Sequence, residues 1–127
     1  MTPDVGRRFV DAIATRNWSA LQALFAPEAC FRALVPSRHP FREHHGPEAA
    51  VRQIEKWFRD GDVHELLESE VAQVQDRVRV RYLIRNHEPA GWHLVEQQAY
   101  ITVGPDGVTA CDLICSGFRP TDPPQQD

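Results

Sequence analysis

The sequence contains no apolar run approaching the ~20 residues of a membrane-spanning helix. Its opening segment, MTPDVGRRFVDAIATRN, carries charges where a secretory signal would have its apolar stretch. A soluble, cytoplasmic protein without a membrane partner is therefore expected. A cysteine framework is also missing. Cys30, Cys111 and Cys115 are odd in number and form neither a CxxC nor a Cys/His zinc spacing, so reduced structural thiols and no metal are expected. Nor is there a dominant charge. The formal net charge is −4 and the isoelectric point about 5.8. Residues 1–60 hold 9 Lys+Arg against 7 Asp+Glu, and the remainder 5 against 11. Nucleic-acid binders usually show a basic stripe, and this distribution excludes one. No internal repeat is visible.

What is present is the composition of one globular domain: 127 residues, 42% of them apolar. A chain of this size buries about two-thirds of the surface its unfolded form exposes, enough for a core without staples. Residues 3–16 read as a first helix, with Thr2 as its cap, Pro3 at its first position and Val5, Phe9 and Ile13 recurring at spacing four. Residues 18–26 form a short second helix ending before Pro27. Residues 29–35 read as a buried strand and 37–46 as irregular. A third helix begins at Pro47, with Ala50, Ile54, Trp57 and Phe58 on its buried side and Gly61 just past its end.

From Val63 the period changes from helical to alternating. Strands are expected over 63–75, 78–87, 92–103 and 108–118, joined by turns at 76–77, 88–91 and 104–107. In the second of these, Val78, Val80, Tyr82, Ile84 and Asn86 share one face, and Arg79, Arg81, Leu83, Arg85 and His87 share the other. The segregated order implies an α+β fold with helices on one face of a curved antiparallel sheet. The domain is expected to span 1–118, with 119–127 as a flexible tail.

This order, with FVDAIATRNWSALQALFAPEACFRAL, GPEAAVRQIEKWF and the closing GPDGVTACDLICSGF, resembles the nuclear transport factor 2-like superfamily, in particular its SnoaL-like and ketosteroid-isomerase-like members. The resemblance covers roughly Pro3 to Phe118. It implies a cone in which the mixed sheet wraps around three helices and leaves a deep, mostly apolar pocket, often with dimerisation through the sheet. Members include isomerases, polyketide cyclases, dehydratases and epoxide hydrolases, besides ligand-binding modules. The catalytic positions of the isomerases fall on Phe9, Ala33 and Ala99, and those of the epoxide hydrolases near Gln97, Ala99 and Ile114. None of these keeps the required group, so any activity uses another constellation.

Closing the last hairpin with Val103 opposite Val108 sets Ala99 opposite Asp112 and Gln97 opposite Ile114. Family matching then turns Asp112 into the cavity. The preceding hairpin sets Tyr82 opposite Gln97 and Asn86 opposite His93. Asp112, Tyr82 and His93 are thus the candidate catalytic groups, because a carboxylate in an apolar cavity has its pKa raised and Tyr82 or His93 can act as an oxyanion donor. Gln97, Asn86, Trp57, Phe9, Phe31, Ala33, Ala99, Ile114 and Phe118 are the candidate contacts to a small apolar molecule. A slip of one residue would turn Asp112 outward. His39, His44 and His45 fall before the third helix. Adjacent histidines of an extended chain point to opposite sides, and no acidic partner stands at metal-ligand spacing.

On the outer face, arginines beside Trp92, Leu94, Glu96, Gln98 and Tyr100 suggest a homodimer surface, with Arg81 near Glu96 and Gln98. Two readings remain. One is a cofactor-independent enzyme performing isomerisation, cyclisation or dehydration with Asp112 as acid or base. The other is a non-catalytic ligand-binding or dimerisation module.

Overall fold

The computed structural model describes residues 2–125. The side chains of Thr2 and Pro3, and residues 126–127 of the expected tail, lie outside the described part. The elements in order are α1 (Thr2–Ala14), α2 (Trp18–Ala23), β1 (Phe25–Leu34), β2 (Phe41–His45), α3 (Pro47–Phe58), β3 (Val63–Val74), β4 (Arg77–Glu88), β5 (Gly91–Gly104), β6 (Gly107–Cys115) and β7 (Arg119–Pro120). The strands form one mixed sheet in the order β2-β1-β6-β5-β4-β3, with β7 paired to β5 beyond the end of β6. Among the described strands only the β1–β6 pair is parallel. The sheet folds around the helices, which is the α+β cone expected. Among the described residues no helix is long and apolar enough to cross a membrane.

Each helix is set by local chemistry. In α1 the stripe Phe9, Val10 and Ile13 is wholly buried. Gly6 lets this helix lie close on the sheet, since a Cβ there would stand 2.7 Å from methyls of both Val71 and Val78. Asn17 caps α2 by accepting a hydrogen bond from the Ala20 backbone N–H. Gly46, at φ 90°, precedes Pro47 at the start of α3.

The concave face of the sheet and the helices enclose the core, with Phe9, Phe31, Phe58, Tyr82, Ile84 and Ile101 among its largest members. Alternation in β4 follows the expectation: residues 78, 80, 82, 84 and 86 are buried and their neighbours face outward.

Several boundaries move. The second helix ends three residues early, because Leu24 accepts from the Val108 N–H (2.8 Å) and Phe25 pairs with Val108 in the sheet. β1 therefore begins at Phe25 and runs through Pro27. That is tolerable because the β1–β6 register shifts between Phe25 and Cys30, where a missing N–H costs no ladder bond. The segment expected to be irregular contains β2. The last long strand ends at Cys115 rather than Phe118, because the Ser116 hydroxyl takes the Glu96 N–H (2.9 Å) and Gly117, at φ 84°, turns the chain. Within the expected tail, Arg119 and Pro120 pair with Leu94 and His93.

The decisive difference is a β-bulge. Val103 does pair with Val108, but Thr102 then pairs with Ala110, leaving Thr109 as the extra residue. Asp112 therefore stands opposite Tyr100, and Gln97 opposite Cys115. Cys111, Leu113 and Cys115 face the core; Asp112 and Ile114 face outward, Ile114 being 58% exposed.

Candidate functional site

Asp112 does not meet Tyr82 and Gln97. Its carboxylate lies on the convex face, 2.8 Å from Arg32 Nε and 3.6 Å from Arg77 Nη1. Beside it is a groove of about 270 Å³ lined by Leu34, Phe41, Tyr100, Asp112 and Ile114 with parts of β1. Asp112 and Ile114, expected in the cavity, thus belong to the outer surface, and the one-residue slip at the bulge is the reason.

Tyr82 and Gln97 do meet. The Tyr82 hydroxyl donates to Gln97 Oε1 at 2.6 Å, and Gln97 Nε2 donates to Cys115 Sγ at 3.4 Å. Both residues are wholly solvent-inaccessible, as are Phe9, Phe31 and Ala99, with Ala33 at 1%. The lower part of the cone is thus closed by packing at these positions. Burial raises the Tyr82 pKa well above its ordinary value, with smaller contributions from Cys111 and Cys115, so its hydroxyl remains a donor.

Where β3 begins, the concave face carries polar side chains. Antiparallel pairing aligns His64 of β3 with Asn86 of β4, and Asn86 with His93 of β5. The three side chains form one transverse row, and each has buried atoms without a hydrogen-bond partner: His64 Nδ1, both amide atoms of Asn86, and His93 Nδ1. Such groups are rare in native proteins because each forfeits its hydration, and a bound solute or water is the usual resolution. Asn86 is 1% exposed. Its Nδ2 approaches Gly61, whose missing Cβ would stand 3.1 Å away.

His64 has a defined tautomer. Its Nε2 lies 2.8 Å from the Ile13 carbonyl oxygen, which can only accept, so Nε2 carries the proton and the neutral ring leaves Nδ1 as a bare acceptor. Burial lowers the His64 pKa and the nearby Arg16 charge lowers it further, while the Ile13 carbonyl opposes both. Arg16 is fixed by donating to the carbonyls of Phe58 (3.2 Å) and Gly61 (2.8 Å).

Phe58 packs edge-on against the His64 ring (5.2 Å) and lies tilted against Phe118 (5.8 Å), so aromatic rings flank the His64 end of the row. Phe118 reaches this position because Gly117 turns the chain inward; continued strand geometry would leave it outside with Asp112. Trp57 sits apart, against Phe31 (6.2 Å). His44 stacks on Phe31 and bonds Gln53, while the adjacent His45 faces the other way, as extended geometry requires.

His64 is the member of this row absent from the sequence reading. Counting straight back from the 74–77 turn places it outward, opposite His87. A second bulge, with Leu67 as the extra residue, turns it inward. The available signal was that Glu65 and Glu68, an odd number of residues apart, both belong on a solvated face.

The curved mixed sheet folded around three helices is the architecture of the nuclear transport factor 2-like superfamily. Residues 6–111 match the SnoaL-like domain family, and the chain belongs to it. No curated protein matches the sequence. Among solved structures it is similar to a ketosteroid isomerase-like fold protein from Catenulispora acidiphila in complex with trimethylamine (TM-score 0.72, 14% identity, covering 92% of this chain and 88% of that one). It is similar also to Bal32a from a soil-derived mobile gene cassette (TM-score 0.74, 17%, 90% and 88%). A third similar structure is a candidate SnoaL-like polyketide cyclase from Shewanella putrefaciens (TM-score 0.68, 9%, 89% and 88%). At these identities the likeness is one of fold.

Proposed function

We propose that the cone opens at the end where β3 begins and that this protein binds a small, largely apolar molecule there. The polar group of the ligand sits on His64, Asn86 and His93, and its apolar body lies against Phe58 and Phe118. The observation that carries this reading is the row of buried, unpartnered polar atoms on three adjacent strands. The row offers an amide that both donates and accepts, and an imidazole acceptor held neutral. That is the equipment for moving a proton beside a carbonyl or hydroxyl, so the reaction class is cofactor-independent isomerisation, cyclisation or dehydration, with His64 as base and His93 and Asn86 as hydrogen-bonding partners of the developing oxyanion. The trimethylamine held by the Catenulispora protein supports small-molecule binding in this fold without fixing the ligand here. Tyr82 and Gln97 act beneath the site as a structural pair. The outer groove around Leu34, Phe41 and Ile114 is the surface through which two copies associate.

The test is histidine-ring NMR of the protein with 2-tetralone and a set of bicyclic alcohols and acids, alongside mass spectrometry of small molecules extracted from the purified protein. A bound ligand should shift the His64 and His93 ring signals and leave those of His39 and His45 in place. His64→Ala and Asn86→Leu should weaken binding by roughly tenfold or more, about the cost of one good hydrogen bond to a buried group. Failure of every probe to move either ring, with no extractable ligand, would reject the site.

A further inference from the structure

At the opposite edge of the sheet, on the outer face, three residues with metal-ligating side chains converge. The β1–β2 register places Cys30 directly across from His45. Glu43 precedes His45 by two residues on β2 and so shares its face. The Cys30 Sγ, a Glu43 carboxylate oxygen and a His45 ring nitrogen all lie within 4.8 Å of one another. Glu43 Oε2 and His45 Nε2 are already 2.9 Å apart. Donors around one tetrahedral zinc ion sit about 3–4 Å from each other, given metal–ligand lengths of roughly 2.0–2.3 Å, so small side-chain rotations close the set. The neighbouring cation on this face, Arg32, is held by Asp112 at 2.8 Å.

We propose that Cys30, Glu43 and His45 form a binding site for a divalent transition ion of the zinc class. The donor set decides the class: calcium and magnesium take oxygen ligands, whereas a thiolate with an imidazole and one carboxylate selects zinc, or cobalt as its spectroscopic stand-in. Charges balance. Cys30 loses its thiol proton to solvent on binding, and the thiolate and the Glu43 carboxylate together neutralise the dication while His45 binds as the neutral ring. The site involves no oxidation or reduction. A fourth position stays open to water, since His45 is largely and Glu43 partly exposed. The ion ties the exposed edge strand β2 to β1. The sequence shows no zinc motif here because the thiol arrives through strand register, and Glu43, two residues before His45 on the same face, corrects the expectation that no acidic partner stands at ligand spacing.

The experiment is a Co²⁺ titration of the full chain under reducing, chelator-free conditions. One equivalent of Co²⁺ should produce a thiolate-to-metal charge-transfer band and the visible spectrum of a tetrahedral ion, both removed by one equivalent of Zn²⁺, and Zn²⁺ should raise Tm because it binds the folded state. Cys30→Ser should abolish the charge-transfer band, and Glu43→Gln and His45→Ala should each weaken binding roughly tenfold or more. Glu43 and His45 are exposed, so these two variants keep the metal-free Tm. A charge-transfer band that survives Cys30→Ser would belong to Cys111 or Cys115 and overturn the proposal. So would weak multiple binding indifferent to Glu43→Gln and His45→Ala.

Discussion

Asn86 buries an amide for which the protein supplies neither donor nor acceptor. An unsatisfied buried polar group costs about 1–3 kcal/mol, whereas an apolar side chain of similar shape avoids that cost. Asn86→Leu should therefore raise unfolding stability by about 1 kcal/mol while weakening the proposed ligand binding, the trade expected of a residue that serves a site at a cost in stability. Urea denaturation checks it, and an unchanged or lower midpoint would show that the amide is satisfied in the free protein. His64 gives a second prediction at this scale. Its folded pKa is lowered from 6.5 by burial and by Arg16. As pH falls through 6.5 the unfolded chain takes up a proton that the folded chain refuses, so stability is fully present above that value and declines below it, until the folded pKa is reached. His64→Gln should remove this component: between pH 7.5 and 5.5 the urea midpoint of the wild type should fall further than that of the variant. Equal falls would show that His64 titrates freely.

At the scale of elements, the seating of α1 depends on Gly6. Gly→Ala in an exposed helix interior ordinarily gains about 1 kcal/mol. Here the added Cβ would stand 2.7 Å from methyls of Val71 and Val78, stiff β-branched residues on the sheet, so overpacking of about 1–3 kcal/mol outweighs the propensity gain. Gly6→Ala should lower Tm, and a rise would mean that the helix shifts freely. Elements and faces were largely legible in the sequence because hydrophobic period reports them directly. The alternation of β4 identified Tyr82 and Asn86 as inward, and the short 88–91 turn fixed their partners Gln97 and His93. The bulges were not legible by counting from turns, and each one reverses a strand: Thr109 sends Asp112 outward and Leu67 brings His64 inward. Side-chain character carried the missing information. Polar Asp112 and Ser116 alternate against Cys111, Leu113 and Cys115, a pattern that favours the outward placement over the one family matching suggested. Phe118 reached its expected side for a different reason, the turn at Gly117.

Across the whole molecule, the convex face divides into two regions with different consequences. Over β3, β4 and β5 the arginines are matched: Arg79 pairs with Glu70, Arg81 with Glu68 (3.1 Å) and Glu96 (2.5 Å), and Arg85 with Glu65 (2.8 Å). Such a ladder is satisfied in water and has little to gain from a partner. Over β6, β1 and β2 the face carries an apolar patch instead, with Leu34, Phe41 and Ile114 at 50%, 54% and 58% exposure beside the Arg32–Asp112 pair. This cluster of exposed large side chains is what supports the proposed association of two copies. In a twofold pair the same patch meets itself, so three half-exposed side chains are buried twice. At about 1 kcal/mol each, half the value of full burial, they contribute roughly 6 kcal/mol. Association costs about 4–15 kcal/mol, so the dimer should be weak and concentration-dependent. Sedimentation velocity should show mass rising with protein concentration. A charge at the patch centre should leave monomers: Ile114→Glu alone should suffice, whereas Arg81→Glu, within the matched ladder, should leave the association intact. A wild-type monomer at every concentration, or dissociation by Arg81→Glu but not by Ile114→Glu, would exclude the patch as the contact.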